Sequence, residues 1–377
     1  MTERREDIDG VVDQVLGDLE TMSYEAVAAR WKTSRGKVYS LAVARNARKH
    51  EARISERKAE RARRQQEFLR EVMNASQKAD VLDFLAGLPD ESVALQFTSP
   101  PYNVGKNYGG SGDSDRLRFH FYLGFLLQVV SEMNRTLMPG GVLALQTGQT
   151  RDDAGYLCPL DTILFSYLKE MGLLYQSRVA WCIPHGLTPD RRLAERYETI
   201  LIFSKGEPRV FNANPVRAPQ KQPGKRAFKG PNKGNLSGHP FGSHPTNVWQ
   251  IGNVGHNHPE RVFGAHPAQM PGEVARRAIL LYTNPGDLVC DVFEGSGTTH
   301  AECQKLHRSF VGCDLFYEDL RLKRLASVVP EMVCQLPGVT DESLAVWQAE
   351  VKEVRYTPSP ESIRNNEQMV LAELSGG

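Results

Sequence analysis

The segment FTSPPYN, residues 97–103, places a serine, two prolines and a tyrosine directly after an apolar run. Proline fixes φ and carries no N–H group, so this turn is stiff and presents carbonyl oxygens without competing donors. The Ser99 hydroxyl, the Pro100 carbonyl and the Tyr102 ring are therefore available to a ligand at the end of a strand.

A second segment that could do chemistry is DLVCDVFEGSGTTH, residues 287–300, in which an apolar strand ends in a carboxylate, a glycine-rich turn and two threonines. Glycine has no Cβ, so the backbone can approach a ligand closely at the carboxyl end of a strand. No lysine follows the second glycine, as it would in a phosphate loop, and the third glycine of the dinucleotide fingerprint is missing. We therefore expect a nucleoside ligand without phosphate groups.

A third segment, RSFVGCDL, lies about twenty residues further on and ends a strand at Asp314. A carboxylate at this position accepts hydrogen bonds from ribose hydroxyls in nucleotide-binding sheets. The alternative is that Asp314 only caps the helix that follows.

Together these segments resemble the S-adenosylmethionine-dependent DNA amino-methyltransferases, whose catalytic signature is Asp/Asn/Ser-Pro-Pro-Tyr/Phe/Trp. The resemblance extends from about Asp80 to Arg324 and includes LMPGGVLALQTG, RYETILIFSKG and HPAQMPGEVARRAI. The catalytic motif precedes the glycine loop by about 190 residues, which resembles the permuted (beta) group. In that group the target-recognition region lies between the two motifs.

The resemblance implies an α/β fold of the Rossmann-like methyltransferase type, circularly permuted, with a mostly parallel central sheet. It implies S-adenosylmethionine as the cofactor and a catalytic set of Ser99, Pro100, Pro101 and Tyr102. The cofactor-binding residues that it implies are Asp80, His266, Gln269, Asp291, Phe293, Gly295, Ser296, Gly297, Thr298 and Asp314. Glu294 departs from the family pattern, which usually has alanine there, and we expect its side chain either to face solvent or to crowd the cofactor.

The implied reaction explains the residue types in the catalytic motif. An exocyclic amine of a base is a poor nucleophile, and acceptors for its N–H protons, such as Ser99 Oγ and the Pro100 carbonyl, favour a tetrahedral nitrogen. Tyr102 would stack against a base flipped out of the duplex, and no cysteine nucleophile is needed. Serine at position 99 resembles the cytosine-N4 enzymes, whereas aspartate is common in the adenine-N6 enzymes, so we predict cytosine N4 with adenine N6 as the alternative.

The stretch from Gly206 to Glu260 is rich in Pro, Gly, Asn, Lys and Arg and has little apolar periodicity, which predicts an irregular insertion at the recognition position. Contacts to DNA phosphates are predicted for its basic residues Lys221, Lys225, Arg226, Lys229 and Lys233. Contacts to base edges are predicted for His239, His244 and Asn247. Asn103, Lys106 and Tyr108 would belong to a loop that closes over the flipped base. The alternative for both segments is a solvated loop.

The elements that must position these residues can be read from the apolar periodicity. Strands are predicted at 79–85, 92–97, 141–148, 177–183, 198–204, 287–293 and 308–314, with helices at 121–137 and 160–171. This alternation predicts an α/β domain, residues 75–330, in which the strand that ends at Asp314 neighbours the strand that starts at Ala79.

An N-terminal extension, residues 1–74, has a different texture. Residues 28–64 carry about thirteen Lys and Arg against three Asp and Glu, which favours a polyanion partner. Two short helices joined at residues 32–34 are predicted in the segment SYEAVAARWKTSRGKVYSLAVARNAR. They resemble a helix-turn-helix with Arg35 and Lys37 directed towards DNA, and the alternative is a plain helical hairpin. One long, mostly exposed helix is predicted from about Leu41 to Met73, and a tail, residues 331–377, follows the main domain.

The remaining expectations concern setting and partners. The formal net charge is +1, and no apolar run approaches the roughly 20 residues of a membrane span, so we expect a cytoplasmic protein. The six cysteines have no Cys-x-x-Cys pair, which predicts reduced thiols and no metal site. Double-stranded DNA is the expected partner, with a homodimer and a cognate restriction endonuclease of a restriction-modification pair as further possibilities. The alternatives left open are a helix-turn-helix regulator with a secondary or inactive methyltransferase domain, and methylation of RNA or of a free base.

Overall fold

The computed structural model describes residues 14, 18, 22–32, 35–109, 115–186, 188–222, 224–239, 241–255, 258–263 and 266–331. The chain divides into two compact units, Met1–Glu67 and Phe68–Gly377, so the division falls nearer the N-terminus than the predicted boundary after residue 74. The predicted tail lies outside the described residues from residue 332 onwards.

The first unit contains helix α1 (Tyr24–Arg30) and most of helix α2 (Arg35–Val72). The Ser23 hydroxyl caps α1 by accepting the Ala26 N–H at 3.3 Å. The predicted long helix is present and ends at Val72, but the predicted second short helix is not separate from it, because α2 is one continuous helix of 38 residues. Its sequence has no proline and, after the first turn, no glycine, so nothing interrupts a run of strong helix formers. Lys37 is exposed on α2.

The second unit is built on an eight-stranded sheet in the described part of the chain, with the strand order β1-β10-β9-β2-β3-β7-β6-β8. The five strands from β1 to β3 in this order are parallel to one another, β7 is antiparallel to both of its neighbours, and β8 is parallel to β6. The strands are β1 (Ser76–Gln77), β2 (Val93–Thr98), β3 (Leu137–Thr147), β6 (Leu174–Cys182), β7 (Tyr197–Ser204), β8 (Val248–Gln250), β9 (Leu288–Asp291) and β10 (Ser309–Cys313). The predicted mostly parallel α/β sheet is confirmed.

One predicted strand is wrong. Of residues 79–85, those from 81 onwards belong to helix α3 (Val81–Gly87), because the Asp80 carboxylate caps it by accepting the backbone N–H groups of Leu82 at 2.8 Å and Asp83 at 3.4 Å. The strand that neighbours β10 is instead the short β1, in which Ser76 and Gln77 pair with Gly312 and Cys313. Asp80 therefore stands at a helix start beside the sheet edge and not on a strand.

Helices cover both faces of the sheet. Alternate residues of β3 separate the two cores: Leu143 and Leu145 pack in one, and Val142 and Ala144 pack in the other. The first core includes buried residues of α3, α4 and α5, and the second includes those of α6. These helices are α4 (Phe119–Thr136), α5 (Leu160–Glu170) and α6 (Gly272–Tyr282), followed by α7 (Thr298–Lys305) and α8 (Glu318–Ala326).

Short elements fill the remaining connections. A hairpin of β4 (Gln149–Arg151) and β5 (Leu157–Pro159) follows β3. The insertion at 206–260 is largely irregular, as predicted, with a 3₁₀ turn at Asn214–Val216, a second that begins at Pro259, and isolated bridges that join Ala218 to Ser243 and Arg226 to Leu236. It also supplies β8, which the sequence pattern did not indicate.

The cysteines in the described residues are free thiols. Cys290 on β9, Cys303 on α7 and Cys313 on β10 are buried, and burial raises the pKa of each thiol above its ordinary value. Cys158 and Cys182 are half-buried. None of the helices in the described part of the chain has the length and apolar character that a membrane crossing requires.

Candidate active site

A cavity of about 480 Å³ opens at the carboxyl ends of β2, β9 and β10. This is where open α/β sheets bind ligands, and the volume lies in the range of small-molecule sites. The cavity brings together residues that are far apart in the sequence. The predicted site residues among its lining are Asp80, Ser99, Pro100, Pro101, Tyr102, His266, Gln269, Asp291, Phe293, Gly295, Ser296, Thr298 and Asp314.

Tyr102 is the centre of a hydrogen-bonded group on the catalytic side of the cavity. Its hydroxyl donates to Glu198 Oε2 at 2.9 Å and lies 3.2 Å from Ser99 Oγ. Gln146 Nε2 donates to the same Glu198 oxygen at 2.7 Å. Burial, followed by the nearby Glu198 carboxylate, holds the pKa of Tyr102 well above its ordinary value, so the phenol keeps its proton.

The positions of the protons in this group determine what Ser99 can do. A phenol has one proton, and Tyr102 gives it to Glu198. The Ser99 hydroxyl must then donate to the Tyr102 oxygen in their 3.2 Å contact. The lone pairs of Ser99 Oγ then remain available as acceptors.

The ring of Tyr102 and the turn before it are held by close packing. A Cβ placed on Gly148 would lie 2.6 Å from Tyr102 Cε2, so the ring rests against a backbone without a side chain. The Tyr122 hydroxyl donates to the Pro101 carbonyl at 2.8 Å from helix α4. The motif is therefore held by the Gly148 backbone, which packs against the Tyr102 ring, and by Tyr122, which binds the Pro101 carbonyl.

Asn103 belongs to the predicted loop, but the further prediction that its side chain contacts DNA is corrected, because both of its polar atoms are bonded within the loop. Its side chain is buried, with Nδ2 donating to the Leu117 carbonyl at 2.9 Å and Oδ1 accepting the Leu117 N–H at 2.5 Å. Its φ of 60° marks a tight turn. Asn103 thus closes the loop, whereas Lys106 and Tyr108 line the cavity.

On the other side of the cavity, the Asp291 carboxylate organises the end of β9. It accepts hydrogen bonds from Thr98 Oγ1 and Thr299 Oγ1, both at 2.6 Å, and from the Phe293 N–H at 3.1 Å. Burial raises the pKa of Asp291 to about 6. These bonds tie the glycine loop to the catalytic strand β2.

Asp314 joins the two loops that flank the cavity. Its Oδ2 accepts the Gly295 N–H at 2.8 Å and its Oδ1 accepts the Phe316 N–H at 2.9 Å. It does not cap α8, since the residue before that helix is Tyr317. A carboxylate has about four lone-pair sites, so Asp314 can still accept ribose hydroxyls.

Buried arginine bonds orient the hydroxyls of the glycine loop. Arg324 Nη1 donates to Ser296 Oγ at 3.0 Å and to Thr298 Oγ1 at 2.7 Å. Gly297 has a φ of 74°, a left-handed conformation that favours glycine, and precedes α7. Gly297 is not among the lining residues, so it shapes the loop without facing the cavity.

His266 and Gln269 lie at the cavity beside aromatic rings. The centroid of the His266 ring is 5.8 Å from that of Tyr108 and 4.7 Å from that of Tyr317. Burial lowers the pKa of His266 to about 4, so the imidazole is neutral near pH 7 and its Nδ1 accepts the Ala268 N–H at 3.2 Å. Gln269 Nε2 donates to the Glu260 carbonyl at 3.0 Å.

One expectation for Glu294 is wrong, because its side chain is fully buried and does not face solvent. The other expectation, that it crowds the cofactor, stays a prediction, since Glu294 belongs to the cavity lining while its Oε2 lies 2.7 Å from Arg321 Nε. Burial raises the pKa of Glu294 well above its ordinary value, while the Arg321 charge opposes this rise. The partner of Glu294 could not be predicted from the sequence, because Arg321 lies on α8, which follows β10 in the chain.

The predicted DNA-contacting residues of the insertion lie outside the cavity lining. His239 is half-buried, and its Nδ1 accepts the Phe241 N–H at 3.2 Å. The others are exposed, namely Lys221, Lys225, Arg226, Lys229, Lys233, His244 and Asn247. Of the two predicted N-terminal DNA contacts, Lys37 is exposed and the side chain of Arg35 is outside the described residues.

The sequence analysis did not identify Gln146 and Glu198 as site residues. Both lie at the ends of neighbouring strands, β3 and β7, which pair antiparallel. A polar residue at the end of a buried strand was the available signal. Trp181, Phe125 and Arg261 also line the cavity, and Trp181 Nε1 donates to the Ile251 carbonyl at 2.8 Å.

Comparison with known proteins gives concordant matches. Residues 93–322 match the family N6_N4_Mtase, described as DNA methylase. The chain is 37% identical over 248 residues to the type II methyltransferase M.BglII of Bacillus subtilis, which covers 66% of this chain and 67% of that one. It is 28% identical over 245 residues to the DNA adenine methyltransferase YhdJ of Escherichia coli, covering 64% and 79% respectively. The solved structure of PvuII DNA methyltransferase (cytosine-N4-specific) aligns with a TM-score of 0.51 at 21% identity, over 74% of this chain and 93% of that one.

Proposed function

The chain belongs to the N6_N4_Mtase family of DNA methylases, and on this premise we propose that it methylates N4 of a cytosine flipped out of duplex DNA. Membership makes it a DNA amino-methyltransferase of the N4/N6 family that uses S-adenosylmethionine. The relatives include a DNA adenine methyltransferase, so the choice of base depends on this chain's own residues.

The observation that carries the proposal is the Ser99–Tyr102–Glu198 chain of hydrogen bonds. Because the Ser99 proton points to Tyr102, Ser99 Oγ is an acceptor for an amine N–H. Serine at this position resembles the cytosine-N4 enzymes. The Pro100 carbonyl would accept the second N–H of the amine, and the nitrogen lone pair would then be free to attack.

The cavity suits S-adenosylmethionine in its chemistry. A nucleoside without phosphates needs carboxylates for its hydroxyls and apolar or aromatic walls, and the lining has Asp80 and Asp314 with Phe293, Tyr108 and Tyr317. The backbone of Gly295 and Ser296 would approach the remainder of the cofactor. Of the other predicted residues, Gln269 and His266 would form one wall, and Asp291, Gly297 and Thr298 would fix the loop.

S-adenosylmethionine would supply an activated methyl group on a sulfonium centre, which would pass to the amine nitrogen as its C–S bond breaks, with one amine proton going to solvent. Ser99 and Pro100 hold the amine in line, and Tyr102 holds the ring of the base against its face. Positioning of this kind accounts for much of the rate of a displacement that needs no covalent enzyme intermediate.

The exposed basic residues of the insertion are our proposed phosphate contacts, and His244, His239 and Asn247 our proposed base-edge contacts. Arg35 and Lys37 of α2 would add contacts that do not depend on sequence. A homodimer and a cognate restriction endonuclease stay predictions.

The proposal is tested by mass spectrometry of nucleosides from plasmid DNA of cells that express the protein or its Ser99→Ala, Tyr102→Ala double variant. N4-methylcytosine that disappears in the variant supports the proposal. N6-methyladenine would retain the mechanism and overturn the choice of base. If neither methylated base is found and DNA binding depends on residues 1–73, the result would favour the DNA-binding regulator.

A further inference from the structure

Glu294 and Arg321 form a buried ion pair next to the cavity that the mechanism above does not use. Both side chains are fully buried, with Arg321 Nε 2.7 Å from Glu294 Oε2. A buried charge is costly unless it is paired, and Arg321 Nη2 has no hydrogen-bond partner among the described residues. The Glu294 carboxyl is the partner within ion-pair distance of this guanidinium among the described residues.

The pair connects three separate segments of the chain. Glu294 is in the glycine loop and accepts a hydrogen bond from the Ser76 hydroxyl of β1. Arg321 Nε donates to the same Ser76 oxygen at 2.5 Å, and Arg321 Nη1 donates to the Phe316 carbonyl. The glycine loop, the edge strand and the loop after β10 thus meet at one buried charge pair.

Two of these segments form opposite sides of the proposed cofactor site. Gly295 and Ser296 line the cavity from the glycine loop, and Phe316 and Tyr317 line it from the loop after β10. Asp314 makes a first link between them through the Gly295 and Phe316 N–H groups. The Glu294–Arg321 pair makes a second link behind the first, through the Phe316 carbonyl.

We propose that Glu294 is a positioning residue for the cofactor, which acts through Arg321 to fix the spacing between the glycine loop and the segment 314–317. The inference rests on the proposed placement of S-adenosylmethionine between these loops. If the spacing of the two loops is set before the ligand binds, less conformational entropy is lost on binding, and the affinity is higher. Glu294 itself belongs to the cavity lining, and the role proposed for it is exerted through Arg321.

The residues around Glu294 leave space for its carboxylate. A Cβ on Gly312 would lie 2.7 Å from Glu294 Oε1 and 2.0 Å from the Asp291 carbonyl, so β10 has glycine where the carboxylate crosses it. His300 Nδ1 lies 3.5 Å from Glu294 Oε1. The carboxylate fills a site that the surrounding residues leave for it.

The test separates positioning from stability. In Glu294→Leu/Arg321→Met, apolar groups of similar volume replace the pair, so the melting temperature should stay near that of the wild type. Calorimetric titration with S-adenosylmethionine should show a Kd raised by roughly tenfold, the effect of about one lost hydrogen bond. Hydrogen exchange without ligand should be faster in 293–297 and 314–317. Glu294→Gln, which keeps the shape and loses the charge, should change both readouts in the same direction.

A control and two outcomes complete the design. Asp161→Asn weakens another buried carboxylate paired with an arginine, Arg178, outside the cavity lining, and should lower stability without changing either readout. Unchanged Kd and exchange in both Glu294 variants would overturn the inference. If the wild type does not bind S-adenosylmethionine, the proposed site fails, and the exchange experiment still decides whether Glu294 fixes the two loops.

Discussion

The Tyr102 hydroxyl lies 2.9 Å from Glu198 Oε2, although the two residues are separated by 96 positions in the chain. One belongs to the catalytic turn after β2 and the other to the start of β7. This contact assigns the phenolic proton, and it leaves the lone pairs of Ser99 Oγ available for the acceptor role that we propose.

Tyr102→Phe keeps the ring and removes the hydroxyl. We expect methyl transfer to be slower by roughly tenfold, because the Ser99 proton loses its acceptor and can turn towards the amine. DNA affinity should be unchanged, since the stacking face remains. Single-turnover methylation of duplex DNA measures the rate, and Tyr156→Phe, at an exposed tyrosine, is the matched control. A wild-type rate in Tyr102→Phe would contradict the assigned proton order.

Glu198→Gln removes the charge that anchors the chain of hydrogen bonds. The rate should fall by about 10²-fold, as for the loss of a charge-assisted hydrogen bond at a reacting centre. Residues that act as one unit are not additive, so Tyr102→Phe/Glu198→Gln should be no slower than Glu198→Gln alone. If the two losses multiply instead, the residues act independently.

Gly148→Ala should displace the Tyr102 ring, because the added Cβ would lie 2.6 Å from Cε2. We expect a rate at least tenfold lower, since small displacements at a reacting centre are costly. Gly124→Ala is the control: it has no atom within 4 Å of the new Cβ and lies in helix α4, so it should be active and slightly more stable. Equal activities of the two variants would show that the ring position is not critical.

The neutral His266 should make stability depend on pH. Its pKa is about 4 in the folded protein, against 6.5 as its ordinary value, so the unfolded chain binds more protons between these limits. Stability is therefore lost as pH falls from 6.5 towards 4. Between pH 7 and 5, the wild type should lose roughly 1 to 2 kcal/mol more than His266→Gln in urea unfolding. His244→Gln, at an exposed histidine, should behave as the wild type, and parallel curves for all three would contradict burial of His266.

Lys229 and Lys233 are exposed in the insertion, where we propose phosphate contacts. Replacing both with alanine should reduce the slope of log K against log salt by about 1.8, or 0.9 for each lost contact. The base that is methylated should not change. Lys169→Ala, at an exposed lysine on α5, serves as the control, and an unchanged slope in the double variant would place the DNA elsewhere.

The sequence predicted the sheet well because strands that are buried on both faces form continuous apolar runs, as in β2 and β7. It failed at residues 79–85, where one capping carboxylate, Asp80, turned an apolar run into a helix. Propensity alone could not separate these outcomes in so short a segment.

The candidate site was predictable where its residues belong to one motif and unpredictable where the fold assembles them. Ser99, Tyr102 and the glycine loop could be read directly from the chain. Glu198 could not be assigned to Tyr102, nor Arg321 to Glu294, because each pair forms only when distant elements pack. Asn103 shows the opposite error, since a polar residue beside a motif was taken for a contact and instead closes the loop.

The distribution of the thiols provides a built-in reporter of opening in the cofactor half of the molecule. Cys290, Cys303 and Cys313 lie on β9, α7 and β10, with their thiols buried and protonated, whereas Cys158 and Cys182 are partly accessible. A pulse of alkylating reagent should therefore modify Cys158 and Cys182 in the native state. It should modify the three buried cysteines only when this part of the protein unfolds transiently. Peptide mapping of the modified cysteines would then follow local opening of this sheet region in living cells, without a fluorophore or an engineered label.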